Sequence, residues 1–159
     1  MDWIEQHAAA GAGVSLVPED LAELRGAVLL MHVAIEAAQA AEPPVGRVGS
    51  EDGGVSIAQM LSVYAYAMGR GWLGAEEIAV RCVEDGCLRY LVGRRAPEAS
   101  MLRQFRRNHA ALVRSSLAFL ISRIQGQLDA VPRVGFDPRG ESARRFERAV
   151  AADSLAMEV

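Results

Sequence analysis

The side chains in this chain best suited to chemistry are its arginines. All 17 basic residues are Arg and none is Lys, so every cation is a planar fork that matches carboxylates, phosphates and guanine edges. Six of them crowd together: Arg94 and Arg95, then Arg103, Arg106, Arg107 and Arg114. On a helix, Arg103, Arg107 and Arg114 are spaced by four and seven, on the side away from Leu102, Phe105 and Leu112, with Arg106 flanking them. Arg94 and Arg95 sit just before that helix, where its first amides also favour an anion. Such a footprint suits the major groove of duplex DNA, some arginines meeting phosphates and one or two meeting guanine. The opposing arrangement is a solvated face bonded to the chain's own acids, Glu76, Glu77, Glu84 and Asp85.

Other constellations are weaker. Cys82 and Cys87 are five apart, about 140° on a continuous helix, with no His pair beside them, and read as small core residues rather than zinc ligands. His109 falls in an apolar register and reads as a hydrogen-bonded packing residue, while His7 and His32 have no neighbours that make a catalytic pair. No serine sits in a nucleophile elbow and no glycine run has phosphate-loop spacing. The expectation is no catalytic residue, cofactor or metal, and no enzyme. Tyr64 reads as core; Tyr66 and Tyr90 are open between core and a stacking platform, and Trp3 and Trp72 are expected to be partly buried.

The elements that must position the arginines are helical, for no stretch shows sustained strand alternation. With 159 residues, just over half of them hydrophobic, there is material for one core without staples. A net charge of −3 excludes a globally basic protein, but the charge is uneven. Residues 1–90 carry 13 acids and 5 arginines, net −8; residues 91–159 carry 7 acids and 12 arginines, net +5. Pro18-Glu19-Asp20 opens a long helix with Leu21, Leu24, Val28, Met31, Ala34, Ile35 and Ala38 on its stripe, stopped by Glu42-Pro43-Pro44. Residues 42–55 read as a loop. Ser56 and Gln59 make a capping-box pair for a second helix that buries Ile57, Met60, Leu61, Tyr64 and Met68. A short helix over about 75–83 follows, with another turn or two near Leu88 and Leu91. One uninterrupted helix is then expected from near Ser100 to Leu128. Asp137-Pro138 starts a last, Arg-rich helix to about Ala152, whose weak apolar content suggests independent motion. The implied division is a helical domain over 1–128 and an extension over 129–159. The acidic Met1–Glu5 start has no basic leader, and His32 and Glu36 break the longest apolar stretch, so the expectation is a cytoplasmic protein outside the membrane.

The order of motifs resembles a known family. Leu16-Val17-Pro18-Glu19-Asp20 before a long helix is followed by Met60 to Gly69, by Glu77-Ile78 with Cys82, and by Glu84-Asp85 before Arg89-Tyr90-Leu91-Val92-Gly93. Pro97-Glu98-Ala99-Ser100 and Phe105-Arg106-Arg107-Asn108-His109 complete the set. Over residues 15–125 this is similar to the N-terminal helical domain, InsH-type, of DDE insertion-sequence transposases. The resemblance implies an all-α, multi-helix fold with a helix-turn-helix-like DNA-binding region, whose catalysis belongs to a following domain built on three carboxylates. The 31 residues after Leu128 show no strand run, and their acids, Asp129, Asp137, Glu141, Glu147, Asp153 and Glu158, cannot build a sheet that holds two metals. A stand-alone regulator of transcription that binds double-stranded DNA is therefore the expectation, with a homodimer as the remedy for a single short reading helix. The alternative is a protein-interaction module that docks on an acidic partner or another regulator. The acidic first half favours the alternative, as does Gly74-Ala75-Glu76, which replaces the family's Ser-Ser-Arg.

Overall fold

Ser56 and Gln59 start the helix at the centre of the molecule. The computed structural model describes residues 18–48, 54–93, 95–128 and 137–157; Trp3, His7 and Arg94 lie outside them. Among the described residues the chain is an all-α, multi-helix domain: α1 (Ala22–Arg25), α2 (Ala27–Ala40), α3 (Ile57–Gly69), α4 (Ala75–Glu84), α5 (Gly86–Val92), α6 (Ala99–Asn108), α7 (Ala110–Leu128) and α8 (Pro138–Met157). None of these helices is long and apolar enough to cross a membrane. The expected loop over 42–55 carries a short antiparallel ladder of β1 (Arg47–Val48) and β2 (Val55–Ser56), pairing Arg47 with Ser56 and Val48 with Val55.

At the head of α3 the capping box is complete. Ser56 Oγ accepts from the Gln59 amide at 3.0 Å, and Gln59 Oε1 accepts from the Ser56 amide at 3.0 Å. Every residue from Met60 to Gly69 is buried, so the expected stripe widens to the whole circumference. α2, α5 and α7 all pack against α3, as a helix apolar all round requires. Each fully buried Leu or Met there contributes about 1.5–3 kcal/mol.

Two expected helices are each broken in two. Gly26 takes φ +95 and ψ 158, a conformation that costs a residue without Cβ little, and it separates α1 from α2. Past the break Met31, Ala34 and Ala38 of the expected stripe are buried, Leu30, Val33 and Ala37 join them, and Val28 is left 60% exposed. His109, at φ −125 and ψ 35, separates α6 from α7. Its amide donates to Phe105 O and its carbonyl accepts from Val113 N, so the ladder passes through a kink rather than a gap. The buried face of α7 then restarts on Val113, Ser116, Leu117, Leu120, Ile121 and Ile124, with Leu112 only half-buried.

The last helix is part of the core rather than independently mobile. α8 packs along α7 and reaches α4, burying Ser142, Arg145, Phe146, Ala149 and Asp153. Arg145 is fully buried and donates to three main-chain carbonyls: Pro18 at 2.8 Å, Glu19 at 2.8 Å and Met68 at 2.7 Å. Its Nε donates to Glu141 Oε1 at 3.0 Å. One guanidinium thus ties the start of α1 and the end of α3 to α8. Gly71 completes the joint; at φ +79 its missing Cβ would stand 3.0 Å from Glu19 O.

Candidate functional site

The arginines expected to face outward together are divided among three environments. Arg106 is inside. It shares α6 with Leu102 and Phe105, and its Nη2 donates to Asp153 Oδ2 at 2.8 Å with both side chains about 5% exposed. Arg103 is held by Glu76, Nη1 to Oε1 at 2.9 Å, with only 19% of its side chain exposed. Arg114 lies beyond the His109 break, on α7, with its guanidinium 4.9 Å from the centre of the Phe146 ring. Arg95 and Arg107 are exposed; Arg94 lies outside the described residues. The break at His109 and the burial of Arg106 therefore dismantle the single arginine face. The reason is phase: Arg106 follows Leu102 by four, which puts it in the inward register of α6.

The Arg106 pair is the centre of a buried polar junction. Asp153 accepts from Arg106 on one oxygen and from the Ala75 amide on the other, at 2.7 Å, which satisfies one of the free amides at the start of α4. Tyr64 donates its hydroxyl to Leu102 O and stacks on Phe105 at 6.0 Å. Burial first, and the Asp153 charge second, raise the Tyr64 hydroxyl far above its ordinary range. Among the described residues Arg106 Nε finds no hydrogen-bond partner. Four elements meet here, so the junction acts as a structural joint.

A second cluster surrounds Trp72, whose ring lies 4.6 Å from the guanidinium of Arg70 and 4.6 Å from that of Arg81. Arg70 donates to Tyr66 Oη at 2.8 Å and pairs with Asp20 at 3.0 Å. Trp72 is thus half-buried, and Tyr66 is core. Cys82 is also core, its thiol pushed up to about 12 by burial and then by Asp85. Cys87 is half-buried on a separate helix. His109 packs its ring 4.7 Å from Phe105. Among the described residues no three His, Cys, Asp or Glu side chains gather as a metal site would need.

What the arginines do not present, α4 does. Ala75, Ile78 and Cys82 face inward, and at 100° per residue the opposite arc holds Glu76, Glu77, Val80, Val83 and Glu84. All five are exposed, Val80 by 55% and Val83 by 65%. α5 packs against α4 and adds Tyr90, 69% exposed. The pattern was visible in the sequence as two valines opposite Ile78 and Cys82. A search for charge passes over it. No family model, curated protein or solved structure matches the chain.

Proposed function

We propose that this chain is a protein-interaction module that docks a basic, apolar segment of a partner on the outer face of α4 and α5. The observation that carries the reading is the exposure of Val80 and Val83 among Glu76, Glu77 and Glu84 on α4, with Tyr90 exposed on the adjoining α5. Exposed apolar groups framed by charge are a common signature of a docking surface, and tyrosine is a frequent anchor in such contacts. The acidic rim favours a cationic partner by complementarity. It therefore turns the sequence-based alternative around, since that alternative had arginines gripping an acidic partner.

Duplex DNA binding is the second reading, supported by the transposase-like order of motifs and by exposed Arg95 and Arg107. Two phosphate contacts give a log–log salt slope of about −2.

Two double variants separate these readings. The docking reading expects a partner captured by the wild type and by Arg95→Glu/Arg107→Glu, and lost by Val80→Glu/Val83→Glu. A duplex-DNA gel shift that survives Val80→Glu/Val83→Glu and disappears in Arg95→Glu/Arg107→Glu would instead establish the DNA reading and overturn docking.

A further inference from the structure

A cleft of about 700 Å³ opens between the first half of α7 and the first turns of α8. Its apolar part is formed by Ala118, Phe119, Pro138 and Ala143, and its cations are Arg114 and Arg139. These two arginines differ from eight others among the described residues. Arg70, Arg81, Arg103, Arg106, Arg123 and the α8 trio Arg144, Arg145 and Arg148 each meet a carboxylate within 4.0 Å. Among the described residues no such pair involves Arg114 or Arg139, although both side chains are exposed. Arg114 is instead steadied on the Phe146 ring.

The nearby polar groups are already partly engaged. Ser142 Oγ donates to Arg114 O at 2.7 Å, and Asp137 Oδ1 accepts from the Arg139 amide at 3.1 Å, capping α8. That cap engages the Arg139 amide at the start of α8. Two cations against one engaged carboxylate leave the cleft net positive.

We infer that this cleft binds a small amphipathic anion, with an aromatic or short acyl body against Phe119 and Ala143. Its carboxylate, sulfonate or phosphate is met by Arg114 and Arg139. The volume falls within the range of small-molecule sites, and charge-assisted bonds to arginine supply the selectivity for an anion. The inference uses α7 and α8, and stands apart from the docking face on α4 and α5.

The test is a fluorescence and calorimetric titration of the full chain with anilinonaphthalene sulfonate, which joins an aromatic body to one anionic group. One saturable site is expected. Arg114→Gln/Arg139→Gln should weaken it roughly tenfold or more. Ser115 also lines the cleft, and Ser115→Trp should weaken binding by filling it; both variants should melt at the wild-type temperature. Val80→Glu/Val83→Glu should bind as the wild type does. Unsaturable binding, unchanged affinity in the arginine double variant, or loss of affinity in the valine double variant overturns the inference.

Discussion

The seam between α6 and α8 and the outer face of α4 use charge in opposite ways. At the seam Arg106 and Asp153 are both about 5% exposed, and such a pair is tolerated only because each ion is matched and hydrogen-bonded. On α4, Arg81 and Glu77 stand 4.0 Å apart with nearly half of each side chain in water, where an ion pair is worth little. Neighbouring valines there are left uncovered. Charge in the seam is therefore structural, whereas charge on α4 stays exposed to solvent even where Glu76 is paired with Arg103. The contrast teaches that an arginine-rich helix is judged by where its register points. Arg106 and Arg107 are adjacent in sequence, yet one is core and the other is solvent-facing.

That contrast can be broken or sharpened by substitution. The largest effect is expected for Asp153→Ala, which strands Arg106 without a counter-ion and should cost about 3–5 kcal/mol in urea unfolding. Adding Arg106→Met should recover most of it; a loss below about 1 kcal/mol would mean that Arg106 is not committed to the fold. Arg145→Met leaves the carbonyls of Pro18, Glu19 and Met68 unmatched and should cost about 2–4 kcal/mol. The same joint should respond to acid. Burial alone would raise the carboxyls of Glu141 and Glu19. Hydrogen bonds and attraction outweigh it, from Arg144 and Arg145 at Glu141 and chiefly from Arg148 at Glu19, and hold both below 4.5. Their stabilisation is therefore present above pH 4.5 and lost as pH falls through the lowered values. The melting temperature should drop over that window, and Glu141→Gln should flatten the drop. Ser56→Ala should cost about 1 kcal/mol by removing the cap of α3. Smallest of all, Val83→Glu and Arg107→Glu should each change stability by no more than about 0.5 kcal/mol. Only the former should abolish partner capture.

Much of the architecture is legible locally. The Ser56–Gln59 box, the extra turns near Leu88 and Leu91 and the helical pattern of α8 are all short-range signals; the structure adds that Asp85 caps α5 by accepting from the Leu88 amide at 3.0 Å. The break at Gly26 was marked by the glycine itself, but a stripe drawn through Val28 runs past it. The kink at His109 has no glycine or proline to announce it. The buried pair was harder still. Arg106 sits four residues after Leu102 and Asp153 four after Ala149, so both charges occupy inward registers. Their partnership spans 47 residues, and no local pattern connects them. Of the arginine site, composition revealed the number of cations but not their counter-ions. Those are chosen by tertiary packing.

Arg145 has a consequence for the order of assembly. Its guanidinium reaches main-chain oxygens 126 and 127 residues earlier in the chain. A nascent polypeptide cannot anchor the first described turn until this late side chain has left the ribosome. Contacts of such long range are slow to close. The beginning and the end of the described chain should therefore lock together as a final, shared event, and nicking the connection into the last helix should loosen the opening turns along with it.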